Sequence, residues 1–430
     1  MRNLSLQNRI VLYTGLAHAL VHMVELTYAA LLLRIGHEFG QGEFMLGVIA
    51  NAFAFMFGAG ALPAGFLVDR LGSRRVMTFG FVFVAAASLL VGLSPNALVL
   101  GVFLGLLGLS IGLYHPAGLS MIAQGAEKRG LAIGYHGVAG NIGVALAPAV
   151  AIGLAVAIDW RAAYFFLGGL ALLIVLLMRA IHLPDVERRP AAASAPVAVG
   201  GVWTPQMLLP LLLVYTAYTL NGFIYRGSFT WLPAHVEENV HINILGINEG
   251  ALAGSLTTLA LLTGCVGQFL GGTLSQHHAL ERLAPPLALC LVPALLLMGV
   301  TSGLALVAAS AMFVFFNFTG QPIYNGLIAE YTPHELMGRS YGISFFAAFG
   351  LGSSAASVSG FFAQRWGTGS VFLSLAGFAL LGMGLTLVIW RLAVRRRGLL
   401  APGAVGLSAD VAAGGQTTAR PGEPGAGGLQ

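Results

Sequence analysis

Read as hydrophobic and polar positions, the chain is a succession of long apolar runs separated by short polar breaks. A helix that crosses a bilayer needs about 20 mostly apolar residues. Twelve runs have that length, near 10–34, 44–68, 76–94, 97–123, 130–157, 161–183, 205–233, 249–276, 283–301, 303–330, 337–363 and 368–391. The pattern predicts an all-α membrane protein, with twelve transmembrane helices in two pseudo-symmetric six-helix bundles. The polar stretch PDVERRPAAASAPVAVGG separates the two sets of six. The expected division is an N-terminal bundle over 1–183, a cytoplasmic linker over 184–204 and a C-terminal bundle over 205–394. The Gly-, Pro- and Ala-rich segment 395–430 reads as a disordered cytoplasmic tail.

Composition strengthens this reading. Hydrophobic residues make up 57% of the 430 and charged residues only 9%, against about 25% charged in a soluble domain. A soluble fold so apolar would have no surface to offer water, whereas lipid accepts apolar side chains facing outward. A soluble enzyme is therefore excluded. The 59 glycines also fit, because glycine is commoner in membrane helices. Cys265 and Cys290 fall inside apolar runs and read as small buried hydrophobes.

The charges set an orientation. With the N-terminus in the cytoplasm, 16 Arg and Lys residues flank the inner ends of the runs, while Arg34, Arg161 and Arg365 lie outside. Basic residues concentrate on the cytoplasmic side, so both termini and the linker are expected there, in a multi-pass protein of the inner membrane. The basic residues form short flanking clusters rather than one patch, which gives nucleic-acid binding no support. The run after the N-terminus is too long for a signal h-region and reads as a retained first helix.

The halves echo one another. His115-Pro116 is followed by Ile122-Ala123-Gln124, and Gln321-Pro322 by Ile328-Ala329-Glu330, at a constant offset of 206. A 6+6 duplication is the layout of parallel-repeat transporters. No Walker loop, G-x-S-x-G elbow or dinucleotide fingerprint occurs in its proper context, so an ion gradient rather than ATP is the expected drive. The histidines are scattered along the chain without zinc spacing, and no metal or other cofactor is expected.

After the second run the chain reads GFLVDRLGSRRV. This stretch resembles the signature loop between helices 2 and 3 of the major facilitator superfamily through Gly65, Asp69, Arg70, Gly72, Arg74 and Arg75. Ser73 stands where that pattern prefers a basic residue. The resemblance implies that Asp69 and Arg70 latch the two halves in the outward-facing state. Gly65 would allow close helix packing and Gly72 a tight turn. A narrower stretch, GLYHPAGLSMIAQGAEKRGLAIGYHGVAGNIGVALAP, is similar to the fosmidomycin-resistance branch of drug exporters through His115, Pro116, Gly137, Gly140, Asn141, Gly143 and Pro148. His18 in the first run adds to it. Ala147 departs from the Gly-Pro ending of proton-driven antiporters. The resemblance implies a secondary transporter, with proton-coupled export of a small molecule as the first expectation. Import of a small organic anion by symport or uniport is the alternative. A non-transporting scaffold on the same fold is a further one. The expected partners are a small-molecule substrate, protons and the lipid bilayer, with the protein a monomer.

Ionisable side chains within the bilayer are costly and mark functional positions. His18, His22 and Glu25 share one stripe of the first helix at spacings of four and three. Glu25 is the one acid read inside a run away from its ends, so it is the candidate proton-coupling group, with His22 and His18 beside it. A permanent ion pair with His22 or Arg226 is the alternative, and a Glu reaching the outer surface a third. Arg226 lies in the seventh run, the pseudo-equivalent of the first. It is read as a substrate-anion clamp, as the counter-ion of Glu25, or as reaching the interface. His115 sits where Pro116 interrupts the backbone. Further cavity candidates are His136, Asn51, Asn141, Asn221, Tyr225, Asn317, Gln321, Tyr324 and Asn325, each of which would serve equally as interhelical glue.

Overall fold

The computed structural model describes residues 5–127, 129–180, 205–242, 248–332 and 337–399. Among these, twelve helices are long and apolar enough to cross a membrane, and no strand occurs. Helices 1 to 6 are Leu6–Phe39, Glu43–Leu71, Ser73–Gly92, Ala97–Gly125, Arg129–Ala157 and Trp160–Ala180. Helices 7 to 10 are Pro205–Asn239, Glu249–His277, Leu280–Val300 and Gly303–Tyr331. Helix 11 runs from Met337 to Trp366 in pieces, and helix 12 is Gly369–Leu399. Helix 12 thus continues into the segment expected to be a disordered tail. Lys128, the linker 184–204 and residues 400–430 lie outside the described residues.

Local chemistry sets many of the ends. Ser5 caps helix 1 by accepting from the Asn8 N–H at 3.3 Å, and Asn96 caps helix 4 by accepting from Val99 at 3.0 Å. Gly40 closes helix 1 in the left-handed region at φ 61°. Gly72, at φ 84°, makes the turn between helices 2 and 3 that its place in the signature loop led one to expect.

Two helices are interrupted. Helix 4 breaks at Leu113, between Ala97–Gly112 and Tyr114–Gly125. Pro116, three residues on, has no N–H for the carbonyl of residue 112. Helix 11 passes through a π turn, Phe346–Gly350, and a 3₁₀ turn, Leu351–Ser353. No proline marks this place. Neighbouring backbones come close here: a Cβ on Gly58 would lie 2.5 Å from Gly350 N, and one on Gly352 would lie 3.2 Å from the Gly222 carbonyl carbon. Helix 7 runs six residues past the end expected at 233 and adds Glu237 and Glu238 to a span. Glu281, buried in the first turn of helix 9, accepts from Tyr331 Oη at 3.1 Å. All three of these acids lie in the first or last turn of a span, and Glu25 is the acid placed away from the ends.

The odd-numbered helices run from the face bearing the first residues, the terminal face, to the opposite distal face, and the even-numbered ones return. The bundles meet over the middle and distal half of the molecule. Helix 2 lies on helix 11, where Ser353 Oγ donates to Asn51 Oδ1 at 2.6 Å and the Phe44 N–H donates to Gln364 Oε1 at 3.1 Å. Helix 5 lies on helix 8, where Asn141 Nδ2 donates to the Gly264 carbonyl at 3.4 Å and the Ala149 N–H donates to Thr258 Oγ1 at 3.3 Å. Small residues permit these approaches, as is usual where lipid supplies no hydrophobic drive between helices.

A buried ion pair and a histidine chain between the bundles

Helices 1 and 7 face each other across the bundle boundary and bring Glu25 and Arg226 together. Both are buried, at 3% and 4% exposed. Arg226 Nη2 donates to Glu25 Oε1 at 2.6 Å. The other carboxyl oxygen, Oε2, lies 2.6 Å from His22 Nδ1, and His22 Nε2 lies 3.0 Å from His18 Nε2. His18 Nδ1 ends the chain at 2.7 Å from the His136 carbonyl oxygen. A guanidinium, a carboxyl and two imidazoles thus run in line from the middle of helix 1 toward the terminal face. The stripe of three on helix 1 is real, and its spacing accounts for the His22 contacts on both sides.

Helices 4 and 5 complete the surroundings. The His136 ring stacks on His18 with centroids 3.9 Å apart and planes 4° from parallel. The His115 ring stands 5.1 Å from His18 and 5.5 Å from His22, edged by Phe57 and by Phe345 of helix 11. His115 Nε2 and His136 Nδ1 are buried without hydrogen-bond partners. Ring nitrogens of His18, His22 and His115 lie within 4.8 Å of one another. The histidines scattered in sequence are therefore clustered in space, because the packing of helices 1, 4 and 5 joins positions about a hundred residues apart. The glycine-rich stretch of helix 5 makes room for them. A Cβ on Gly140 would lie 2.5 Å from His18 Cε1 and 3.0 Å from His22 Cδ2.

Arg226 uses one nitrogen on Glu25, while its Nε is buried with no partner. The pair borders a small cavity lined by Tyr28, Phe53, Phe229 and Thr230 among others. Tyr225 stacks on Phe229 at 4.3 Å. Among the remaining candidates, Asn51 and Asn141 join the bundles, as described. Asn317 is buried with Oδ1 unpartnered. Asn221, Gln321 and Asn325 are half-buried. Tyr324 packs beside Tyr218 at 6.1 Å in an apolar cluster of the second bundle, away from the histidines. Cys265 and Cys290 are free and half-buried.

Among the described residues, nothing approaches the Cβ position of Gly65 within 4 Å. The turn at Gly72 does not require a small residue at Gly65, which sits inside helix 2. Arg70 is exposed and Arg74 half-buried at the terminal face, and the side chain of Asp69 lies outside what is described.

The sequence reading missed the distal contacts. Arg34 of helix 1 grips Glu237 of helix 7 through both terminal guanidinium nitrogens, Nη1 on Oε2 at 2.9 Å and Nη2 on Oε1 at 2.8 Å. Only the extension of helix 7 past 233 puts Glu237 in reach. The pair is partly exposed, and such pairs are worth about 0.2–1 kcal/mol. Glu237→Gln is expected to raise the fraction of molecules open at the distal face up to about fivefold, read as thiol labelling of a cysteine placed at Ala29. Unchanged labelling would show that this pair does not hold the distal face closed.

Comparison with known proteins gives one family. The profile described as Major Facilitator Superfamily matches residues 14–357. A Cupriavidus necator protein named "Probable sulfoacetate transporter" is 26% identical over 275 residues, covering 60% of this chain and 62% of that protein's length. A Helicobacter pylori protein named "Probable sugar efflux transporter" is 26% identical over 291 residues, covering 66% and 70%. The Escherichia coli "Probable L-galactonate transporter" is 20% identical over 271 residues, covering 59% and 58%. Among solved structures, a bacterial homolog of the human lysosomal transporter Spinster superposes with a TM-score of 0.71 at 12% identity, covering 91% of this chain and 98% of that one. The peptide transporter POT gives 0.71 at 15%, covering 89% and 95%. At these identities the superpositions speak for the fold.

Proposed function

The chain belongs to the Major Facilitator Superfamily, a family of transporters rather than enzymes, and we propose that it moves a small organic anion across the inner membrane by proton-coupled alternating access. The observation that carries this reading is the buried Glu25–Arg226 pair between helices 1 and 7. Two opposite charges at mid-membrane are costly unless each answers the other. A proton on Glu25 cancels its charge and weakens its hold on the guanidinium. The unpartnered Nε and the freed nitrogens of Arg226 then offer a planar fork to a carboxylate or sulfonate. Substrate anion and proton would thus be taken up together, and the two bundles would rock around them. Relatives named for sulfoacetate and L-galactonate, both organic acids, support the anionic class.

In this reading the termini face the cytoplasm and the distal face the outside. Asp69 and Arg70, with Gly72 and Arg74, would latch the terminal face when the distal face opens. A second reading, export by proton antiport, is favoured by the relatives named for sugar efflux and by the resemblance of helices 4 and 5 to drug exporters.

Purified protein is first screened by thermal stabilisation against sulfonates, sugar acids and neutral sugars. The stabilising compound is then followed into proteoliposomes with and without a pH gradient. Glu25→Gln is expected to abolish gradient-driven flux while sparing exchange of substrate for substrate. Gradient-driven flux unchanged in that variant would reject proton coupling at Glu25, and stabilisation by neutral sugars alone would reject the anion. Accumulation with or against the proton gradient decides between the two readings of direction.

A further inference from the structure

The chain from Glu25 to the His136 carbonyl contains three hydrogen bonds, Glu25 Oε2 to His22 Nδ1, His22 Nε2 to His18 Nε2, and His18 Nδ1 to the carbonyl oxygen. Each needs one hydrogen. A carbonyl oxygen only accepts, so His18 Nδ1 carries a hydrogen. If His18 is neutral, its Nε2 is a bare lone pair, and His22 must donate to it from Nε2. If His22 is neutral too, its Nδ1 is bare and the hydrogen facing it must belong to Glu25. Two neutral imidazoles and one carboxylate supply only two hydrogens for the three bonds. Without a third, two lone pairs face each other at 2.6 or 3.0 Å inside a water-poor interior, where an unmade bond costs its full desolvation.

We infer that the distal-closed conformer holds one added proton on the Glu25–His22–His18 chain, and that this proton moves along it between Glu25 and His18. The inference rests on the proton-coupled reading above and gives it a stoichiometry and a route. At the Glu25 end, the Oε2–H bond breaks as a bond to His22 Nδ1 forms. At the other end, His22 Nε2–H breaks as His18 Nε2–H forms. The net result is a Glu25 carboxylate facing Arg226 and a His18 imidazolium facing the His136 carbonyl, with every proton accounted for. Seven residues of helix rise carry the charge about 10 Å toward the terminal face.

Among the described residues, the chain is faced by titratable and charged groups from helices 4, 5 and 7, including Tyr225 beside Arg226. Helix 7 contributes Arg226 at Glu25, helix 4 contributes His115 and Tyr114 against His18, and helix 5 contributes His136. A transition-metal ion is the rival occupant of the gap between the two Nε2 atoms. Nitrogens about 2.0–2.1 Å from a tetrahedral zinc ion stand about 3.3 Å or more apart. The observed 3.0 Å between His18 and His22 is the length of an N–H···N bond. A third nitrogen, on His115, lies within 4.8 Å rather than in contact. Distance therefore favours the proton.

The test uses the full-length chain, labelled with ¹⁵N-histidine, in lipid nanodiscs and titrated from about pH 5 to about pH 9. Spin labels at Pro95 and Ser302, on the distal face of either bundle, report closure, with Cys265 and Cys290 replaced by Ser. In the wild type, a ¹⁵N–¹⁵N coupling across the His18–His22 bond should be present at the acid end and vanish in a one-proton step. The closed-to-open ratio should fall about tenfold per pH unit through that step, because the closed form binds one proton more. In the double variant Glu25→Gln, Arg226→Gln the amide of Gln gives His22 Nδ1 a permanent hydrogen, so coupling and closure should persist to the alkaline end.

A wild type whose closed fraction ignores pH, or whose coupling is absent at the acid end, overturns the inference. So does one zinc ion bound per chain through His18 and His22. Should the double variant not fold, the wild-type titration decides alone. A protein that titrates as stated yet transports without regard to a pH gradient keeps this inference and loses the coupling reading.

Discussion

Arg226→Gln is expected to lower the unfolding free energy of the protein in detergent by about 3–5 kcal/mol at alkaline pH, since removing one member of a buried pair strands the other. Glu25 and Arg226 sit at 3% and 4% exposure in contact at 2.6 Å, so neither has water to fall back on. The loss should shrink as pH falls. A stranded Glu25 escapes its cost by taking a proton and donating to His22, which it already touches. Glu25→Gln strands a guanidinium instead, which no accessible pH neutralises, so its cost should not be relieved at acid pH as that of Arg226→Gln is. The double variant should cost much less than the two single changes added together. Denaturant or thermal unfolding of the four proteins at two pH values measures all of this. Additive costs, with no pH dependence for Arg226→Gln, would show that the two groups do not depend on each other.

The second large effect is expected at Gly143. A Cβ there would run into the backbone oxygen, carbonyl carbon and Cα of Ala19, next to His18. Backbone cannot swing aside as a side chain can, so helix 5 must move away from helix 1. Overpacking of this kind costs about 1–3 kcal/mol or more. The displacement also draws the His136 carbonyl away from His18, so Gly143→Ala should lose gradient-driven flux as well as thermal stability. Gly137→Ala, two turns earlier in the same stretch, is the control. Its Cβ would have only Gln268 Nε2 nearby, at 4.0 Å, and both measurements should stay near wild type. If Gly143→Ala is as silent as Gly137→Ala, the close approach of helices 1 and 5 is not what positions the histidines.

These two sites also show where the chain is legible from its sequence. Glu25, His22 and His18 announce themselves because polar groups at helical spacing stand out in an apolar run. Arg226 could be set opposite Glu25 because helices 1 and 7 hold equivalent places in a duplicated layout. His115 and His136 were visible one by one, but nothing local says that they meet His18. Arg34 and Glu237 escaped because the end of helix 7 was drawn too early. The π turn in helix 11 has no proline to betray it, and the backbones that approach it lie on helices 2 and 7.

What the sequence determined alone is the number, order and approximate extent of the membrane helices, and the kind of ionisable group each carries. Transfer of a segment into lipid is a sum over its own residues, so twelve apolar runs suffice to specify twelve helices. The tertiary structure decided which polar groups touch. That depends on how each helix is rotated and how closely it approaches its neighbours, and both are set by backbone contacts such as Gly143 on Ala19 and Gly58 on Gly350. Such contacts join residues a hundred or more positions apart, and no property of either segment by itself contains them.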